Sequence, residues 1–398
     1  MTQPDARTRA VPPEAAADTN ATSLFWPGLL VAIATTSMVI GILWDISWHI
    51  SIGRDTFWTP AHLAIQFGGL LAGGVGGWLA FRHTFLLGPT GRSTSVGIFG
   101  VRAPLGAWVM MWGALAMVTS APFDDWWHSA YGLDVKIVSP PHTVLGLGML
   151  AISLGALLIG LAHQNRVNDA AGDALFIYIG GIFVTLGSVF LMEFTTPNLQ
   201  HAATFHVVCA LTFPVRIVTL GAAGRISFPA TRAALVYFVL QGAMTWILPL
   251  FPAQPKLAPI FNPITHMVPP AFPLLLFAPA LAIDLLLRRT GTGATGWRRL
   301  ALAGLLGLAF VAVFSTVQWF FSQFLLTPAA DNWFFAGNRY WGYNSSPGPW
   351  ASRFWGVTAG KPFYNPFTTM TALLSFVIAV GGAWLGLLWG GWMRKVQR

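Results

Sequence analysis

The residues Asp45–His62 read D-I-S-W-H-I-S-I-G-R-D-T-F-W-T-P-A-H, and the residues Asp124–His142 read D-D-W-W-H-S-A-Y-G-L-D-V-K-I-V-S-P-P-H. They are two copies of one pattern, 79 to 80 residues apart. In each copy an Asp and a His are four residues apart, which places them on one face of a helix. A second His follows a short loop and a Pro. The repeat predicts two helical hairpins that carry the same side chains at their turns.

The composition is that of a membrane protein. The chain is 55% hydrophobic and only 9% charged, and apolar runs of about 20 residues recur along it, long enough to span a hydrocarbon core. The single cysteine, Cys209, excludes a disulfide framework. A net charge of +9 fits basic cytoplasmic loops better than a nucleic-acid partner. We therefore expect an all-α, polytopic transmembrane helical bundle embedded in the lipid bilayer.

The hydropathy pattern predicts about ten spans. These are residues 24–50, 60–81, 104–128, 140–163, 175–196, 200–223, 229–252, 263–287, 298–325 and 366–392. They form one transmembrane domain, 24–392, in which 24–81 and 104–163 are the repeat units. Residues 1–23 are predicted to be a disordered tail and 393–398 a basic tail.

Basic residues concentrate in alternate loops. By the positive-inside rule, both termini and the two tails are cytoplasmic, and the protein lies in the cell inner (plasma) membrane. The two repeat units then have the same orientation, which is the arrangement of a parallel repeat. Both motif copies are expected to face outward.

Two imidazoles and one carboxylate are a common metal-ligand set. The motif supplies such a set twice, and four further acidic or histidine residues are predicted on the same side as additional candidate ligands. The ten candidates are Asp45, His49, His62, Asp124, His128, His142, Glu193, His201, His206 and His266. An Asp–His pair at a helix end can also be a simple hydrogen-bonded cap, but a cap does not require the whole pattern to recur.

Other groups are given supporting roles. Asp55 and Asp134 are expected to orient the imidazoles or to cap the returning helices. The aromatic-rich loop 327–365 is expected either to cover the site or to lie as an aromatic belt in the membrane interface. Asp284 and Arg216 lie in the inner halves of their spans and have no obvious partners.

The spacing Asp45-x3-His49-x12-His62 resembles the metal-site motif in the C subunit of copper membrane monooxygenases, the methane and ammonia oxidisers. The second copy has thirteen residues in place of twelve. The resemblance covers about 18 residues of each copy, and it implies copper as the cofactor, with Asp45, His49 and His62 as ligands and the second copy as their counterparts. This chain departs from that subunit in its larger number of predicted spans and in the duplicated motif.

Three functions remain open from the sequence. The first is a copper, or alternatively non-haem iron, oxygenase that acts on a small apolar or lipid-like substrate, with electrons from a quinol or a partner protein. The second is a transporter or metal-handling permease. The third is a non-catalytic subunit of a membrane redox complex, so an oligomer or multi-subunit assembly is also expected. The six motif ligands could form one dinuclear site or two mononuclear sites.

Overall fold

A computed structural model of the chain describes residues 23–53, 56–132, 139–167, 169–256, 264–337 and 365–398. Three sets of predictions fall outside these ranges. They concern nearly all of the predicted disordered tail, the residues Asp55 and Asp134, and residues 338–364 of the predicted aromatic loop. Those expectations therefore stay predictions.

The described residues form a helical bundle with very little sheet, as the composition predicts. The helices are α1 (Phe25–Ser51), α2 (Pro60–Phe81), α3 (Gly88–Ser93), α4 (Leu105–Tyr131), α5 (Pro140–Val167), α6 (Ala170–Val189), α7 (Ala203–Ala223), α8 (Pro229–Ile247), α9 (Phe277–Thr290), α10 (Gly296–Leu325) and α11 (Thr369–Met393). A π-helical turn, Arg82–Leu86, extends α2, and the strands β1 (Val96–Ile98) and β2 (Val101–Ala103) form a small antiparallel hairpin. Nine of these helices are long and apolar enough to cross a membrane.

The predicted span 263–287 is wrong, so the described residues contain nine candidate spans rather than ten. Residues 264–276 are non-helical, and α9 begins only at Phe277. Pro269, Pro270 and Pro273 explain the difference, because proline lacks the backbone N–H and clashes with the preceding turn. The remaining helix has 14 residues and is about 21 Å long, which is less than the hydrocarbon thickness.

The two repeat units fold into matching helical hairpins, α1–α2 and α4–α5. A Cβ atom on Gly68 would lie 2.4 Å from the carbonyl oxygen of Ala34, and one on Gly148 would lie 2.8 Å from the carbonyl oxygen of Gly113. Gly68 and Gly148 are 80 residues apart, and Ala34 and Gly113 are 79 apart, so the same two motif positions make the contact in both hairpins. Glycine is required there because the helix backbones nearly touch.

The contacts between the hairpins show that the repeat is parallel. A Cβ on Gly69 of α2 would meet Met117 of α4, and a Cβ on Gly76 would meet Met111. Since position increases along α2 while it decreases along α4, these two helices are antiparallel. Helix α4 therefore runs in the direction of α1, and both motif turns lie at one face of the bundle, which we call the motif face.

Other segments reach the motif face beside the first hairpin. Described residues between α8 and α9 brace the end of α1. The backbone N–H of Lys256 donates to the carbonyl of Ile52 (2.9 Å), and Ser47 Oγ donates to the carbonyl of Val268 (2.6 Å). The described start of the aromatic loop, 327–337, packs on the bundle, where Trp246 Nε1 donates to the carbonyl of Phe334 (2.8 Å).

The opposite face holds the beginning of α1 and the end of α11. A Cβ on Gly28 of α1 would meet Ile159 near the end of α5. Asn165, in the last turn of α5, donates through Nδ2 to the carbonyls of Met393 and Val396. The start of α1 and the end of α11 therefore lie at the same face of the bundle.

Replacing Gly68 by Ala should destabilise the first hairpin by about 1–3 kcal/mol, because the new methyl group would overlap the Ala34 carbonyl. Gly74 on the same helix is the matched control, since a Cβ there meets nothing within 4 Å and Gly74→Ala should be neutral or slightly stabilising. Thermal unfolding of the purified protein in detergent compares the two variants. Equal transition temperatures would contradict the close backbone contact.

Candidate metal centres

The first triad forms where α1 ends and α2 begins. Asp45 and His49 lie one turn apart on α1, and His62 is the third residue of α2. His62 Nε2 lies 3.0 Å from Asp45 Oδ1, and His49 Nε2 lies 3.8 Å from Asp45 Oδ2. Pro60 starts α2 at a position where its missing N–H has no helical partner to lose, so the returning helix begins in time to present His62 to Asp45.

The second triad repeats this geometry between α4 and α5. His128 Nε2 and His142 Nε2 each lie 3.5 Å from Asp124 Oδ1. The two imidazole centroids are 6.4 Å apart with an interplanar angle of 64°. The carboxylate oxygen therefore lies between two ring nitrogens that come from different helices.

The spacing within each triad is that of a metal site. In each one, a ligand atom from every residue lies within 4.8 Å of the other two, and each triad could hold a metal ion. Two atoms that are each about 2.1 Å from one ion lie about 3.0–3.4 Å apart in square or tetrahedral coordination. The described acidic and histidine residues form two such groups of three, not one group of six, which favours two centres over a shared one.

A hydrogen bond to the backbone fixes the tautomer of the His62 imidazole. Its Nδ1 atom lies 3.0 Å from the carbonyl oxygen of Thr56, and a carbonyl can only accept, so Nδ1 carries the proton. In the neutral ring Nε2 then has a lone pair that faces the Asp45 carboxylate. Two hydrogen-bond acceptors at that distance repel each other unless a proton or a cation lies between them. A neutral imidazole whose Nδ1–H donates to a backbone carbonyl is the usual form of a metal-ligating histidine.

In the second copy, a backbone carbonyl fixes the tautomer of the first histidine of the motif, His128, rather than the second. His128 Nδ1 lies 3.0 Å from the carbonyl oxygen of Gly132, so Nε2 is again the atom available toward Asp124. Gly132 has φ +86° and its counterpart Gly53 has φ +81°, a region that side chains with a Cβ rarely adopt. The repeated glycine, four residues after the first His of each motif, therefore lets the chain leave the helix at that point.

Sequence reasoning did not assign these supporting roles. The Thr59 hydroxyl accepts from the backbone N–H of Thr56 (3.0 Å), which holds the carbonyl that binds His62. In the second copy the Ser139 hydroxyl accepts from the N–H of His142 (3.4 Å). The signal was visible as Thr59-Pro60 and Ser139-Pro140, because a hydroxyl residue followed by proline is typical of a helix start.

Both triads remain partly open. The side-chain exposure of His49 is 45% and that of Asp45 is 14%, while the three side chains of the second triad are each about 30% exposed. Three protein ligands and an accessible side leave coordination positions for water or substrate. Aromatic rings flank the second triad, with Trp127 and Tyr131 in contact at 4.5 Å between centroids.

Glu193 and His266 belong to neither triad. Glu193 lies on a short 3-10 turn between α6 and α7, and His266 lies on the segment that braces α1, where its Nδ1 contacts the Thr265 hydroxyl at 2.9 Å. Neither contributes an atom to the two groups of ligand atoms among the described residues. Their predicted metal ligation has no structural support of the kind that the triads have.

His201 and His206 lie instead in a buried polar cluster against α10. His201 is fully buried, its Nε2 is 3.3 Å from Ser322 Oγ, and its ring packs on Trp319. His206 Nδ1 is 3.2 Å from Ser315 Oγ. Burial lowers the pKa of His201 to about 4, so this ring is neutral at physiological pH and bonds to its neighbours without carrying charge.

No protein-family model, no curated protein and no solved structure matches this chain. The geometry of the triads and the membrane-spanning fold are therefore the basis for any functional conclusion.

The variants His49→Ala and His128→Ala should each lose one metal equivalent, and the double variant should lose both, since each triad loses one of only three ligands. Elemental analysis of the purified protein gives the count. His266→Ala is the control and should keep full metal content. Loss of all metal from one single variant would show a shared site, and full occupancy in the double variant would refute both centres.

Gly132→Ala should weaken metal binding at the second triad by about 10–100-fold, the usual effect of disturbing a group that orients a ligand. The substitution strains the backbone at φ +86° and displaces the carbonyl that holds His128, although it removes no ligand. Gly100→Ala, at φ +82° in the turn between β1 and β2, is the strain-matched control. Competition with a chelator of known affinity measures the metal affinity of the two variants. Equal affinities would contradict the role of Gly132 in holding His128.

Proposed function

We propose that this multi-pass membrane protein is a copper-dependent oxygenase with two mononuclear centres. The observation that carries the proposal is the pair of Asp–His–His triads, with nitrogen and oxygen atoms 3.0–3.8 Å apart, at one face of the bundle. Each triad offers one negative charge and two imidazoles, and it leaves room for further ligands. That combination is typical of metal sites that activate a bound molecule.

Copper is the first choice of metal because the first triad has the spacing of the copper membrane monooxygenase motif. Non-haem iron is the second candidate, since two histidines and one carboxylate with open positions are also the ligand set of iron oxygenases. When bound, the metal would supply the redox chemistry of oxygen activation. The four histidines would hold it through Nε2, and the Nδ1 contacts of His62 and His128 fix the orientation of those two rings.

An apolar substrate suits the surroundings of the triads. In the first motif, Phe57 and Trp58 lie between the two ligating histidines in sequence and are 44% and 72% exposed. In the second motif, Trp126 follows Asp124 by two residues and is 55% exposed. Exposed aromatic residues next to a helix end favour a position at the membrane interface, where a hydrocarbon-like molecule can arrive from the bilayer.

The transporter alternative has less support. Asp284, expected without a partner, accepts hydrogen bonds from the backbone N–H and the hydroxyl of Thr231 at 2.8 and 2.7 Å, and so holds the start of α8. Arg216 donates to the carbonyl of Thr212 and lies over the ring of Phe183. These two groups contribute to packing within the bundle, whereas a transport pathway would be expected to use polar residues along the membrane.

The purified protein, loaded with copper and supplied with a reduced quinol and ¹⁸O₂, should insert labelled oxygen into members of a panel of short alkanes, alkenes and fatty acids. The variants His49→Ala and His128→Ala should each lose the product formed at the affected centre, and the double variant should lose nearly all product, because each substitution removes one metal ligand from one triad. Iron-loaded protein is tested in parallel to decide between the two metals. Product is measured by mass spectrometry.

The control is His266→Ala, which should retain labelled product. Full metal occupancy in both triads without labelled product from any substrate, with either metal, would overturn the oxygenase proposal but leave the metal centres intact. Metal uptake into sealed liposomes under those conditions would support the transporter.

A further inference from the structure

A crevice of about 840 Å³ runs along α1 between α2 and α6. On α1 it extends over the 16 residues from Phe25 to Ile40, a distance of about 22 Å. Its floor on α6 is formed by Ala171, Ala174, Leu175 and Tyr178, and Phe67 of α2 lies on the other side. Ile33, Ile40 and Phe67 are 38–54% exposed, so the crevice opens on the lipid-facing side of the bundle.

The hydroxyl groups of the lining are engaged within the protein. Thr36 Oγ1 donates to the carbonyl of Ala32 (2.6 Å) and lies 2.7 Å from the Tyr178 hydroxyl, which is then its donor. Ser37 Oγ donates to the carbonyl of Ala64 (2.8 Å). The crevice therefore presents mainly hydrocarbon surface, and its lining does not suit a polar solute.

The crevice is separate from the first metal triad. Thr36 points into it, and Asp45 follows nine residues later on the same helix. Nine residues are about two and a half turns, so the two side chains lie on opposite faces of α1. An occupant of the crevice would not contact the ligands Asp45, His49 and His62, and the inference is independent of the proposed oxygenase activity.

The length and chemistry of the crevice select its occupant. One leaflet of the hydrocarbon core is about 15 Å thick, so a groove of this length can hold one chain of a leaflet. Residues 1–22 contain no Leu, Ile, Phe, Tyr or Trp, so they offer little large apolar surface for such a groove. We propose that the crevice is a binding site for one acyl chain of a bilayer phospholipid.

Photocrosslinking tests the site directly. The full-length protein is reconstituted with a phosphatidylcholine that carries a diazirine on one acyl chain, and the crosslinked peptides are identified by mass spectrometry. We expect crosslinks to α1 and α6. Ala174→Phe should reduce crosslinking to these helices by about tenfold, which corresponds to about 1.4 kcal/mol, because the ring would occupy the floor. Ala171→Phe should act in the same way from the end of the crevice.

The control is Ala301→Phe on α10, an exposed alanine outside the crevice, which should leave the crosslinks unchanged. Metal content and elution volume serve as folding controls for each variant. Unchanged crosslinking in both crevice variants would overturn the proposal. Crevice crosslinks to a second copy of the chain, together with a change in oligomeric state, would also overturn it. A third contrary result would be crevice crosslinks from a diazirine fatty acid but none from the phospholipid.

Discussion

The triads depend on the close approach of helix backbones within each hairpin. At Gly68 and Gly148 an added Cβ would overlap a carbonyl oxygen of the partner helix, so the two helices come nearer than larger residues permit. That proximity lets a carboxylate on the outgoing helix reach an imidazole on the returning one, at 3.0 Å in the first copy and 3.5 Å in the second. Dispersion contacts favour such small-residue interfaces in a bilayer, where apolar burial alone gives little driving force between helices.

Helical spacing and the internal duplication of the sequence predicted which residues form the triads. Asp45 with His49 and Asp124 with His128 follow from helical spacing, and their partners His62 and His142 follow from the duplication. The span 263–287 was mispredicted because mean hydropathy does not register the backbone N–H groups that Pro269, Pro270 and Pro273 remove.

Three further features could not be found from side-chain patterns. The groups that fix the ligand tautomers are the carbonyls of Thr56 and Gly132, and every residue type carries a carbonyl, so residue identity gives no direct signal. The crevice along α1 is a space between helices, and it depends on how α1, α2 and α6 pack rather than on a motif in any one of them. The grouping of His201 and His206 against α10 likewise required the tertiary structure.

The common direction of α1 and α4 places both triads at the same face of the helical bundle. Both centres would therefore draw on the metal pool of a single compartment, and both would be exposed to the same chelators, reductants and pH. Metal loading of the two proposed centres would then depend on one side of the membrane only. A cell could fill or empty the two centres together without moving an ion across the bilayer.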